Sequence, residues 1–249
     1  MSLIYINPYA LESTGAAPPV AGAVLWVDAS TLATGTGISA ATTPVANLGS
    51  QGGTFNVGGY DVVASGIGTQ NALRFNGTSQ YLSSTNAYTN TGTTMTVFAV
   101  IKRISTGSNF YGYLASIIPG GPLDYQDARN FSYSQEGSGS TIRVDRNNVA
   151  LATLSHAGNG VTFIGTLKFD GTNFTHYQKT TAASTSASGA SSGTFGCTTT
   201  ALAARLAGSG GAPNLFIHAF FGEVLIYNTA LNDTDRLAVI SYLSTKWGV

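Results

Sequence analysis

Helical periodicity is confined to the last part of this chain, and that confines the body of the molecule to strands. In the closing segment GEVLIYNTALNDTDRLAVISYLSTKWGV, a β-rich run from Gly222 passes through a turn into an amphipathic stretch. Asn232 is placed to cap a helix, with Asp235 three residues on as the returning half of a capping box. Leu237, Ile240 and Leu243 recur at helical spacing, which predicts an inward apolar stripe with Asp233, Arg236 and Lys246 facing solvent. Gly248 ends the helix, and Trp247 is expected to close one end of the molecule by packing.

The rest of the chain reads as short strands between turns. Ala23–Ala29 is a brief apolar run with β-branched and aromatic bias. Residues 33–70, rich in Gly, Thr, Ala and Asn, predict a long excursion with one or two short strands. ALRFNG and QYLSS flank Asn76-Gly77, a hairpin signal. Thr94–Arg103 is almost continuously apolar, as a central strand buried on both faces would be. Two further strand pairs turn at Asn147-Asn148 and Asp170-Gly171. The uncharged, low-complexity stretch Thr180–Gly196 reads as an edge strand and its connection. RLAG, FIHAFF and GEVLIY supply the last strands. Many short strands at turn-marked intervals predict an all-β fold, a two-sheet antiparallel jelly-roll sandwich over residues 20–249.

Charge narrows the function. Eleven basic and eleven acidic residues cancel, and charged residues make up 9% of the chain, against roughly 25% in an average soluble protein. The largest basic cluster is the pair Lys102-Arg103, too little for nucleic-acid binding. No apolar run is long enough to span a membrane, and Met1–Ala10 lacks the pattern of a secretory leader. A surface solvated by Ser, Thr and Asn suits a virion-surface or extracellular module. The single cysteine, Cys197, allows no intrachain disulfide and reads as a small buried apolar residue, an intermolecular bridge being the alternative.

Residues 1–19 stand apart. Leu3, Ile4, Tyr5, Ile6, Tyr9 and Leu11 make this segment too apolar for a solvated tail, and Pro8 forbids a continuous helix. A proline-stiffened linker follows. The segment is expected to be an extended arm docking on a partner or neighbouring subunit; docking on its own domain and a disordered tail are the alternatives.

Three segments carry a family resemblance: VLWVDAS (Val24–Ser30), NALRFNGTSQYL (Asn71–Leu82) and Gly222–Val249. Together they resemble the laminin-G-like branch of the concanavalin A-like lectin/glucanase superfamily, as found in bacterial and phage proteins. The resemblance implies a jelly roll used for sugar binding and display or for glycan cleavage, and calcium is common in the family. Asp28 matches the first-strand motif and Glu223 the last long strand; both are read as structural. The glucanases of the family carry a Glu-x-Asp-x-x-Glu run on one strand. Here the three glutamates, Glu12, Glu136 and Glu223, are scattered and no such run exists. Retaining hydrolysis needs two carboxylates about 5–5.5 Å apart, so the chain is expected not to be an enzyme.

The candidate carbohydrate-binding residues lie in 108–135, where Asp124 and Asp127 sit among Phe110, Tyr111, Tyr113, Tyr125, Phe131 and Tyr133. Aromatic faces stack on sugar rings and carboxylates grip hydroxyls, which selects Tyr111, Tyr113, Asp124, Tyr125 and Asp127. The alternatives are an ordered loop packed by its own aromatics, or a subunit interface. No metal is assigned; calcium stays open at two weak oxygen clusters, Asp145 with Asn147 and Asn148, and Asp170 with Asn173, both explained equally by turns. His156, His176 and His218 lack metal-ligand spacing. The reading is a non-catalytic phage virion structural protein of decoration, fibre or tail-adhesion type. It is expected to bind capsid or tail proteins through its arm, to be a homo-oligomer with a trimer as the ring, and to take host-surface glycans as ligands. A free carbohydrate-binding module of a bacterial surface or secreted protein, and a glycan hydrolase or lyase, are the alternatives.

Overall fold

The computed structural model describes residues 17–85, 87–105, 111–118, 121, 123–136, 141–155, 158–179, 181–187 and 193–249, without the side chains of 151–154 and 181–187. The expected docking residues Leu3, Ile4, Tyr5, Ile6, Tyr9 and Leu11 lie outside the described residues.

In chain order the strands are β1 (Leu25–Asp28), β2 (Gly35–Ser39), β3 (Val45–Ala46), β4 (Thr54–Phe55), β5 (Val57–Ile67), β6 (Gln70–Asn76), β7 (Tyr81–Ser84), β8 (Met95–Arg103), β9 (Gly112–Ile117), β10 (Phe131–Gln135), β11 (Thr141–Arg146), β12 (Val149–Ser155), β13 (Thr162–Phe169), β14 (Asn173–Gln178), β15 (Thr181–Ala187), β16 (Thr199–Leu202) and β17 (His218–Tyr227), followed by α1 (Asp233–Trp247). Hydrogen bonding runs continuously in the order β12-β11-β10-β9-β16-β7-β5-β6-β17-β8-β13-β14-β15, with β1 added on β17 and β2 on β5. One strand joins the two layers. The first residues of β5 pair with β7, and Asp61–Ile67 pair with β6. From there the halves fold face to face. The Tyr113 ring of β9 lies 6.3 Å from Phe163 of β13 and 6.4 Å from Phe221 of β17, and β12 returns against β14 and β15. The result is the antiparallel jelly-roll sandwich expected from the turn spacing. β8, buried along its length except at Lys102, lies between β17 and β13 as the central strand its composition requires.

Turn chemistry decides some connections and not others. Asn147 and Asn148 both take left-handed backbone, φ 51° and 60°, and join β11 to β12 as a two-residue hairpin. Asp170-Gly171 opens a longer turn between β13 and β14, closing on the Phe169–Phe174 pair, in which Gly171 takes positive φ, 100°. Asn76-Gly77 does not make a hairpin: β6 pairs with β5 and β17, β7 with β5 and β16. This turn carries the chain from one layer to the other. Asn76 Oδ1 accepts the backbone N–H groups of Thr78, Ser79 and Gln80 at 3.0, 2.9 and 3.0 Å. The 33–70 excursion holds four strands, β2 to β5, more than its composition suggested. Thr180–Gly196 begins with β15, paired antiparallel to β14, as expected.

The helix starts and stops where its caps predict. Asn232 Oδ1 accepts the Asp235 N–H at 2.9 Å, and Gly248 adopts left-handed backbone at φ 67°. Its facing differs from the sequence pattern. Leu237 is 40% exposed, whereas Arg236 is buried with its guanidinium 4.0 Å from the Tyr177 ring centre. Lys246 also turns inward, onto two carboxylates. Trp247 is buried against Gly222, where a Cβ would come within 2.8 Å of the indole. Cys197 is fully buried, and burial pushes its thiol up to about 12. No helix among the described residues is long and apolar enough to cross a membrane.

Candidate functional site

The structure disperses the residues selected in 108–135. Tyr113 is fully buried in the aromatic core, so it faces no ligand. Asp124 is fully buried as well and is consumed by Arg205, whose Nε and Nη2 donate at 2.8 and 2.6 Å, and by the Leu206 N–H at 2.8 Å. These two positions are corrections: a buried phenol and a buried, fully paired carboxylate belong to the scaffold. Asp127 accepts a bidentate pair from Arg129 at 2.7 and 2.9 Å, which holds its carboxyl below the usual range. The half-buried Tyr125 lies under the Arg205 guanidinium, 5.4 Å from its ring centre. The described part of this loop is thus held by Asp127–Arg129 within it and by Arg205 from outside it, while Phe110 lies outside the described residues.

Tyr111 alone of the set lines an open cavity, of about 190 Å³. One wall is the turn after β6, Asn76 to Thr78; the other is Phe216, Ile217 and His218 leading into β17, with Ser105 beside them. Two backbone contacts build it. Asn76 and His218 are cross-strand partners. Gly112 bridges Phe216 in parallel and donates to the Leu215 carbonyl at 2.9 Å. A Cβ at Gly112 would clash with the Ala204 backbone, so glycine lets the chain pass close to Ala204 as it makes the Phe216 bridge. It sets Tyr111 beside Phe216, whose ring stacks on Tyr81 at 5.4 Å between centres. His218 Nδ1 lies 3.0 Å from Ser105 Oγ. Burial, helped by the Arg74 charge, lowers the His218 pKa, so the ring is neutral at neutral pH. The cavity therefore offers half-buried aromatic faces beside hydroxyl, amide and imidazole groups, the equipment for a ring that carries hydroxyls. Neither Phe216 nor Ser105 is selected from the sequence, and His218 is weighed there only for metal-ligand spacing. Phe216 and His218 lie in the aromatic run FIHAFF, which reads equally well as a core strand, and Ser105 carries no sequence signal.

A second polar cluster lies under α1. Lys246 Nζ donates to Asp28 Oδ2 at 2.5 Å and Glu223 Oε2 at 2.8 Å. Glu223 also accepts from Trp26 Nε1 at 2.7 Å, Trp247 Nε1 at 2.9 Å and Tyr242 at 3.0 Å. Burial pushes the Glu223 carboxyl up, with Lys246 pulling it back. Asp28 Oδ1 accepts the Ser30 N–H and hydroxyl, the turn role read from the sequence.

The two turns with calcium-like composition do not fit that ion. Asp145 is bound by Arg143 at 2.7 Å, and Asp170 accepts the N–H groups of Thr172 and Asn173 in its own turn. Neither offers the six to eight oxygens calcium takes. Among the described residues no three His, Cys, Asp or Glu side chains converge. His176 is a buried sheet residue, its Nε2 2.9 Å from the Tyr133 hydroxyl; His156 lies outside the described residues.

No protein-family profile and no curated protein matches the sequence. Solved structures match the fold. Trypanosoma rangeli sialidase in complex with sialic acid superposes with a TM-score of 0.56 at 14% identity, over 93% of this chain and 34% of that one. A mutant of the same sialidase displaying trans-sialidase activity gives 0.59 at 14% identity, over 94% and 34%. The botulinum neurotoxin type G receptor binding domain gives 0.60 at 12% identity, over 89% and 51%. The chain thus spans about a third of the sialidases' length and half of the neurotoxin domain's. These likenesses show a β-sandwich of jelly-roll kind, in keeping with a concanavalin A-like architecture. The expectation that the chain is not an enzyme is corrected: chains sharing this fold include sialidases, which are glycan hydrolases. The missing Glu-x-Asp run removes one catalytic arrangement, not glycan cleavage as a class.

Proposed function

We propose that this chain is a glycan-binding β-sandwich module whose binding face is the groove beside Tyr111, Phe216 and His218. The observation that carries this reading is the meeting of half-buried aromatic rings with Ser105 and His218 around an open cavity. Structural likeness to a sialidase and to a receptor-binding domain supports it at the level of fold. The test is a glycan array followed by calorimetry on the full chain. Tyr111→Ala and Phe216→Ala are expected to weaken binding about tenfold, or about 1.4 kcal/mol, with circular dichroism unchanged. Undiminished binding by both variants, or no glycan bound by the parent, overturns the reading. Product analysis of the same mixtures decides whether the bound glycan is also cleaved.

A finer reading places the module on a phage virion, attached through residues 1–19 to capsid or tail proteins and assembled as a homo-oligomer. The apolar leading segment supports it, together with a surface of low charge. Replacing Leu3 and Ile6 by Asp in the full chain is expected to convert an oligomer to a monomer in light scattering. A parent chain that is itself monomeric, or an oligomer unaffected by the substitutions, removes the self-assembly part of this reading.

A further inference from the structure

We infer that the groove recognises an uncharged glycan, a neutral hexose-type unit without carboxylate, sulfate, phosphate or free amine. The inference rests on the binding reading above and specifies its ligand. The groove is lined by Asn76–Thr78, Ser105, Tyr111 and Phe216–His218, and the sequence around them, residues 75–101, 104–122 and 206–222, is free of Asp, Glu, Lys and Arg. The second includes the neighbours of Tyr111 in sequence, so the flanks add no charge. The nearest basic groups by register are already engaged. Arg74, two residues before Asn76, donates from Nε to Asp61 at 2.9 Å. Lys102 sits 5.6 Å over the Phe220 ring and 3.5 Å from the Gly66 carbonyl. Arg103 is buried, with Nε on Asn159 at 2.8 Å and Nη1 on Gln135 at 2.9 Å.

An ionised ligand leaving water needs a compensating charge, preferably the bidentate fork of an arginine for a carboxylate or sulfate. A free amine needs a carboxylate. The groove lining itself has neither; Arg74, outside the lining and paired with Asp61, adds its charge to burial in keeping His218 neutral, so His218 offers a hydrogen bond rather than a charge. It does have what a neutral sugar requires: an aromatic surface for the C–H face of the ring, and hydroxyl, amide and imidazole groups for its hydroxyls. Discrimination here comes from the missing counter-charge as much as from the groups present.

The experiment is calorimetry on the full chain with matched pairs, neutral oligosaccharides against their sialylated, sulfated or uronic-acid counterparts, at 50 and 500 mM sodium chloride. Neutral members are expected to bind at least tenfold more tightly, with affinity changing less than twofold between the two salts. Preference for the acidic members, or a loss of more than fivefold in salt, overturns the inference and leaves the glycan-binding reading standing. Binding of neither class overturns both. Thr78→Arg, at an exposed position on the groove wall, adds a fixed charge without disturbing the core. It is expected to shift preference toward the acidic members by about fivefold; an unchanged preference overturns the assignment to this groove.

Discussion

Asp28 and Glu223 stand directly opposite each other on β1 and β17, and their carboxylates share the single ammonium of Lys246 from the last turn of α1. Both carboxylate side chains are fully buried, and Lys246 is 11% exposed. The cluster ties the first strand, the last strand and the terminal helix through one cation. Removing that cation strands two buried negative charges, so Lys246→Met is expected to cost about 3–5 kcal/mol in urea denaturation at neutral pH. The pH dependence follows from Glu223, whose folded pKa lies above its ordinary value. Its protonated form is favoured by the fold, so its contribution is fully present below about 4.5 and is lost as pH rises through the folded pKa. The penalty of Lys246→Met is therefore expected to shrink at pH 4.5 relative to pH 8. An equal penalty at both places the cost in packing rather than in charge.

His176 makes a different pH prediction. Burial pushes its pKa down to about 3, while an unfolded histidine titrates near 6.5. The unfolded chain takes up a proton that the folded chain refuses, so stability is present above about 6.5 and declines as pH falls toward about 3. His176→Gln removes the titrating ring. Thermal melts of the variant are expected to lose less between pH 7 and pH 4.5 than those of the parent.

Gly222 lies under the Trp247 indole, where an added Cβ would approach to 2.8 Å. Gly222→Ala is expected to destabilise by about 1–3 kcal/mol through overpacking. Trp247→Leu in the same chain should recover part of that loss, because the two changes share one contact. Strict additivity in the double variant would show that the glycine serves its backbone instead.

The Asp124–Arg205 pair is structural if burial is the guide. Arg205→Ala is expected to cost about 3–5 kcal/mol by leaving a buried carboxylate unpaired. The Asp124→Leu, Arg205→Met double variant should regain much of it, with glycan affinity within twofold of the parent. A specific loss of glycan affinity in a stable double variant would return Asp124 to the binding surface.

The amino-acid sequence by itself determined the all-β class, the hairpins at Asn147-Asn148 and Asp170-Gly171, the central place of β8, and both ends of the helix. Each depends on physics within a few residues: left-handed turn conformations, side-chain caps, and a continuous apolar run with no polar face. The tertiary structure decided where β6 and β7 go after Asn76-Gly77, since a turn signal says that the chain reverses and not which strand it next pairs with. It also decided that Arg236 and Lys246 turn inward while Leu237 is exposed, because the surface beneath α1 carries a tyrosine ring and two carboxylates drawn from distant strands. The candidate site divided along the same line. Aromatic content marked Tyr111, Tyr113 and Tyr125 alike, but burial separated them, and Phe216 and His218 joined Tyr111 through pairing between segments far apart in the chain. Local propensity acts along the backbone, whereas burial and pairing are properties of the assembled sandwich.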